Sequence, residues 1–295
     1  SRRLVATMPG VFPIPACARR RVPILLRLTA LLLISIVISG CEASAPPVPN
    51  GEGNPLTGRM VDLTHAFGAD TIYWPTDVKG FQFDRGDNGV TPKGYYYAAN
   101  RFATAEHGGT HLDAPIHFAA DKPTADQVAI ERLAGEAVVI DVSKACEQNV
   151  DYQIGIADLH TWEERNKRRL NDVIVLLKTG WGKRWPDRLR YLGTARQGPD
   201  ALPELRFPGL APEAAAWLVQ ERAVKAVGID TASIDYGRST RFECHVALCG
   251  KSVPIFENVA DLTALPEQGA WVVALPMKIA GGSGGPLRIV AFLPK

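Results

Sequence analysis

Three of the chain's six histidines fall within eleven residues, at His107, His111 and His117, and Asp113 lies between the last two. Imidazole and carboxylate donors without a thiolate suit Zn, Mn or Fe rather than a structural cysteine site. Positions 107, 111, 113 and 117 are all odd, so on an extended strand they share one face. A helix would align His107 with His111 but turn Asp113 away, and Gly108, Gly109 and Pro115 oppose helix formation. A straight strand would hold the two end histidines roughly 33 Å apart, too far for one ion. The segment must therefore bend, and Gly108-Gly109 and Pro115 are where it can. Bent, it brings two imidazoles and a carboxylate to one ion, with a further histidine beside them. Spacing alone leaves two chemistries open: a hydrolytic metal site, or a non-haem iron site of two histidines and one carboxylate.

The elements that must carry these residues read as α/β. Short β-branched runs predict strands at 138–140, 173–177, 224–229, 271–273 and 289–292, and 95–103 also reads extended. Two helices are expected. Asp158 is placed to cap the stretch 159–170, and Pro212 to open a helix running to Arg222. The order is mixed rather than strictly alternating, so a doubly wound sheet is not demanded. The glycine cluster Gly281-Gly282-Ser283-Gly284-Gly285 precedes a strand, not a helix, and reads as a loop rather than a phosphate cradle.

The first forty residues carry six arginines and no acid, while the remaining 255 carry 27 bases against 31 acids. The formal charge of +2 thus becomes −4 once the leader is set aside, which argues against nucleic acid as a partner. Arg19-Arg20-Arg21, the apolar run from Val22 to Ile38 and the small residues before Cys41 describe a signal peptide over 1–40. Ile38-Ser39-Gly40-Cys41 resembles the lipobox of bacterial lipoproteins. That resemblance implies lipidation at Cys41, export to the periplasmic or extracytoplasmic face, and a membrane contact made only through the lipid. Residues 41–58, rich in Pro, Gly, Asn and Ser, read as a flexible tether, leaving 59–295 as one domain. That length buries a core without disulfide staples.

The string H-x-G-T-H-x-D-x-P-x-H-F, complete from His107 to Phe118, resembles the signature of the cyclase-like metal-dependent hydrolases, which include bacterial kynurenine formamidases and isatin hydrolases. Other pieces match in order: Asp62-Leu63-Thr64 with Trp74-Pro75, Leu177 to Trp181, Gly228 to Asp235, and His245 followed by Glu257. The resemblance implies an α/β fold, a compact mixed β-sheet core with surrounding helices in a single catalytic domain. His107, His111 and Asp113 would bind a first divalent ion, Zn or Mn. Asp113, His245 and Glu257 would bind a second ion or close the site around one. His117 would move protons, and Trp74 would contact substrate. The substrate would be a small amide, an aryl formamide or a cyclic amide of the isatin type, and the assembly a homodimer or larger. The alternatives are a non-hydrolytic, iron oxygenase-like metalloenzyme and a metal- or solute-binding lipoprotein without turnover.

Ligating imidazoles need partners that orient them; Asp230, Ser233 and Asn100 are candidates. Trp74, Tyr95 to Tyr97 and Trp181 are candidates to floor an aromatic pocket. Cys244 and Cys249 flank His245 and are expected not to be essential ligands. His65 and His160 lack any such context.

Overall fold

The computed structural model describes residues 55–294. The expected signal peptide, Cys41 and the tether up to residue 54 lie outside the described residues. Residues 55–57 form a 3-10 turn against the C-terminal strands. Among the described residues no helix is long and apolar enough to cross a membrane.

The strands are β1 (Met60–Asp62), β2 (Gln82–Val90), β3 (Tyr96–Ala103), β4 (His111–Asp113), β5 (Ala134–Asp141) and β6 (Gln153–Ile154). They continue with β7 (Ile174–Lys178), β8 (Gly209–Leu210), β9 (Ala226–Ile229), β10 (Ile255–Glu257), β11 (Ala270–Pro276) and β12 (Gly284–Phe292). The helices are α1 (Ser143–Gln148), α2 (Ile156–Asn166), α3 (Arg188–Leu192), α4 (Pro212–Glu221) and α5 (Glu243–Gly250).

Eight strands form one sheet in the order β1-β12-β11-β5-β7-β9-β10-β4, and β4 pairs again with β12. That pairing closes seven strands into a barrel, with β1 added at the far end of β12. The strands β5, β7, β9 and β10 run parallel, while the seam through β4, β12 and β11 is antiparallel. All five expected core strands are present, and so is the expected extended segment, as β3.

Alternation along each strand separates two apolar clusters. Ala137, Val139, Ile174, Leu176, Ala226, Phe256, Val272, Ala274, Leu287 and Ile289 pack together inside the barrel. The alternate residues Val138, Ile140, Val175, Leu177, Val227, Ile229 and Ile255 pack outward against α2, α4 and α5. Strands buried on both faces read as unbroken apolar runs, which is why their sequences were so plain. Helix α4 starts at Pro212 as expected. Helix α2 starts earlier than expected: Asp158 sits inside its first turn and accepts a hydrogen bond from Gly155 N at 2.8 Å. It ends at Asn166, where Lys167 takes a left-handed conformation.

Candidate metal centre

The alternation that sorts the core also places the chemistry. On β4, Leu112 points into the barrel, so His111 and Asp113 point outward. On the neighbouring β10, Phe256 points inward and Glu257 outward, and the register sets Glu257 opposite His111. Helix α5 then lays His245 over this outward face.

The expected bend is real. Gly109 takes φ +58°, a left-handed conformation that favours glycine. Gly108 bridges Tyr73 so closely that a side chain there would run into the Tyr73 ring. After β4, Pro115–His117 winds into a 3-10 turn. His117 is thereby folded back onto His107, with ring centroids 3.8 Å apart and 17° between planes.

Asp113 is the hub. Its Oδ1 lies 2.6 Å from His107 Nδ1 and 3.2 Å from His111 Nε2, and its Oδ2 lies 3.3 Å from His245 Nε2. Glu257 stands 3.5 Å from His111 Nε2 and 3.2 Å from His245 Nε2. All five residues expected to ligate metal converge. Their grouping differs from the expected pair of triads, however. Ligand atoms of His107, Asp113 and His117 lie within 4.8 Å of one another, as do those of His111, Asp113 and Glu257. His117 is thus close enough to be a donor as well as a proton carrier.

The orienting partners are not those expected. Asp230 instead accepts from the Thr179–Gly182 turn, with Thr179 N at 2.8 Å and Gly180 N at 2.9 Å. Ser233 Oγ accepts from Asp235 N, and Asn100 lies on the exposed strand β3. The observed partners are Asp235, whose Oδ2 is 2.7 Å from His245 Nδ1, and the Gly109 carbonyl, 2.9 Å from His111 Nδ1. Asp235 stood in a matched string, but only the fold shows which of its acids faces His245. The Gly109 carbonyl is main chain and carries no sequence signal. Asn258 steadies that carbonyl by donating from Nδ2 at 2.8 Å.

These residues fit a divalent cation. His111 Nε2 is buried and has no hydrogen-bond partner, although two carboxylates stand beside it. Asp113 and Glu257 are buried, yet among the described residues no lysine or arginine lines the cavity around them. Buried charge of that kind is costly unless a cation compensates it. Without a cation the imidazoles take that part. Burial lowers the His111 pKa, but Asp113 and Glu257 outweigh it and raise it to about 8. Burial likewise opposes, and the three carboxylates of Asp113, Asp235 and Glu257 overcome, a rise of His245 well above its ordinary value. Burial and the charge of Asp113 push Glu257 up. His117 goes the other way: burial lowers it to about 4, so its ring is neutral at pH 7.

The centre floors a cavity of about 240 Å³. Trp74 lines it as expected, packed edge-on against Phe207 and Phe242. The other aromatic walls are Tyr73, Phe118 and Phe242. Tyr95, Tyr96 and Tyr97 are elsewhere, exposed on or beside β3, because among the described residues the β2–β3 ribbon pairs only with itself. Trp181 is fully buried, donating from its indole to Tyr191 O. Cys244 and Cys249 are buried free thiols, and the Cys244 thiol donates to Leu210 O. Neither belongs to a ligand cluster among the described residues. His65 stacks on Trp185 and His160 meets Trp217 edge-on, away from the centre.

The chain is similar to several known proteins. The family model described as "Putative cyclase" matches residues 61–236. Isatin hydrolase of Roseibium aggregatum is 30% identical over 210 residues, covering 68% of this chain and 77% of the relative. Kynurenine formamidase of Bacillus anthracis is 26% identical over 238 residues, covering 79% of this chain and 97% of the relative. The solved structure of isatin hydrolase A from Ralstonia solanacearum shares 31% identity at a TM-score of 0.73, covering 80% of this chain and 92% of that one.

Proposed function

We propose, on the premise that this chain belongs to the cyclase family, that it is a divalent-metal-dependent hydrolase of the C–N bond in a small aryl amide. The carrying observation is His111 Nε2, a buried and unpartnered donor set between Asp113 and Glu257 at the floor of an aromatic-walled cavity. His107, His111, Asp113, His245 and Glu257 would hold the cation, Zn or Mn, as one ion or two. When bound, it supplies Lewis-acid charge that polarises a carbonyl and makes water acidic enough to attack near neutral pH.

The protein's own groups do the rest. Trp74, Phe118 and Phe242 take an aromatic ring and exclude water around the scissile amide. His117 borders the cavity with a neutral ring, and its nitrogens make no hydrogen bond among the described residues. It is therefore free to take a proton from the attacking water and return it to the leaving nitrogen. Asp235 and the Gly109 carbonyl hold His245 and His111 with Nε2 towards the centre. The names of the relatives favour an aryl formamide or a cyclic amide of the isatin type as substrate. A second cavity of about 410 Å³ shares the Trp74 and Phe242 wall, leaving room for a substituent beyond the reacting amide.

Export as a lipoprotein acylated at Cys41 is proposed from the leader sequence. A homodimer or larger assembly is proposed on the exposed aromatic β2–β3 ribbon. Metal-loaded protein assayed against aryl formamides, isatins, lactones and imides tests the activity. Turnover of an aryl amide, abolished by chelator and restored by Zn or Mn, is expected. Tight metal binding with no turnover would favour a binding protein, and oxygen-dependent oxidation would favour an iron enzyme. Intact mass of membrane-extracted protein tests the leader, with residues 1–40 lost and acyl mass gained.

A further inference from the structure

We propose that Ser283 and Glu106 form a positioning relay that fixes the tautomer of His107 and so makes its Nδ1 a metal donor. The inference rests on the metal-centre reading above.

His107 differs from its two companions. His111 and His245 each turn Nδ1 to an outside acceptor and Nε2 to the centre. His107 is reversed: Nδ1 lies 2.6 Å from Asp113 Oδ1, and Nε2 lies 2.8 Å from Ser283 Oγ. A serine hydroxyl can donate or accept, so Ser283 alone would not define the ring. Glu106 removes the ambiguity. Its Oε2 accepts from Ser283 N at 2.9 Å and from Ser283 Oγ at 2.5 Å. The amide N–H can only donate, which makes Oε2 the acceptor at this junction. The single hydroxyl proton is then committed to Glu106, and Ser283 Oγ is left to accept. His107 Nε2 must supply that proton, so Nδ1, whose 2.6 Å contact with Asp113 Oδ1 holds a shared proton in the metal-free fold, is the nitrogen a cation takes once that proton leaves. Without the relay the neutral ring would keep its one proton on Nδ1, against Asp113, and block both groups at once.

The surrounding loop is built around this contact. Ser283 is the one side chain in the run 281–285. A Cβ on Gly284 would stand 2.6 Å from His107 Cε1, and one on Gly282 would stand 2.7 Å from Glu106 Oε1. The loop is tied down on both sides of the serine, by Ala125 N to Gly282 O at 2.8 Å and Ala114 N to Ser283 O at 2.9 Å. The glycine cluster thus has a task that no phosphate is needed to explain.

Chelator competition with Zn on the full-length chain tests the relay, using Ser283→Ala, Glu106→Gln and the double variant. Each single change should weaken Zn binding by about 10–100-fold. The double variant should be no weaker than the worse single one, because both act through one proton. Melting of the metal-free protein should be unchanged. Nitrogen NMR of His-labelled, metal-free protein supplies the second readout. His107 Nε2 should carry a proton in the parent and lose it in Ser283→Ala. Parent-like Zn affinity in both single variants, additive losses, or a parent His107 without a proton on Nε2 would each overturn the relay. The NMR result is independent of turnover, so a protein that hydrolyses no amide would sink the proposed activity and leave the relay to be judged separately.

Discussion

Strand β3 ends at Ala103 and the metal-ligand string begins at His107, yet the two stretches obey different rules. The β2–β3 ribbon is exposed on both faces, with Tyr96 at 64% and Phe102 at 52%, and among the described residues its strands pair only with each other. Three residues of β4 are buried outright, pair on both edges, and meet the side chains of His107, His245 and Glu257. Aromatic content marks the ribbon and polar content marks the centre, the reverse of a simple inside–outside rule. Burial here follows from how many neighbours the chain brings, not from residue type.

That contrast breaks most completely at Asp113. Asp113→Ala removes the common neighbour of three imidazoles. We expect loss of bound metal and of activity together, by more than the ~10²–10⁴-fold that one acid/base group contributes. Metal analysis beside kinetics on the same preparation checks this, and stoichiometric metal with near-native turnover would remove Asp113 from the centre.

His117→Ala should fall next. It should keep its metal and lose about 10²–10⁴-fold in kcat, with a smaller deficit on an activated ester whose leaving group needs no proton. Protein that arrives metal-free would instead make His117 a ligand, in line with its grouping with His107 and Asp113.

A smaller effect separates the two regions by pH. The His111 pKa is raised from 6.5 to about 8 in the metal-free fold. A raised histidine stabilises the folded state fully below its unfolded value and loses that contribution as pH rises through the folded one. Chelated protein should therefore lose thermal stability between pH 6.5 and above 8. Metal affinity should climb over the same window, because the cation competes with that proton. Melting curves in chelator and metal titrations across pH 6–9 measure the opposed slopes, and a flat Tm in chelator would contradict them. Ribbon residues should take no part in either.

The smallest effect is expected on the ribbon. Phe83→Ser and Tyr96→Ser should change stability by no more than about 0.5 kcal/mol and leave metal binding untouched. Sedimentation of the same variants shows whether the ribbon holds copies together: if assembly persists unchanged, the interface is elsewhere.

Most of the sheet was readable because its strands are buried on both faces and made of β-branched runs. The convergence of His107, His111, Asp113 and His117 was readable because Gly108, Gly109 and Pro115 mark the bend. Three things were not. Helix α5, which presents His245, begins after Phe242 in a left-handed conformation and has no side-chain cap, so nothing local announces it. Tyr95 to Tyr97 look like pocket residues by type, but no local pattern states that β3 lacks a second neighbour. Ser283 lies 176 residues from the ring it touches, and only barrel closure brings it there.

That closure has a consequence for how the protein matures. Strand β4 is held between β10 and β12, so His111 and Asp113 have no fixed positions until β12 is in place. A ribosome-bound chain lacking residues beyond Glu257 has every first-rank donor and no site to put them in. Metal acquisition is therefore expected to follow the placement of β12 rather than to guide it. A C-terminal truncation removing β12 should yield a metal-free protein even though none of the five proposed ligands has been deleted.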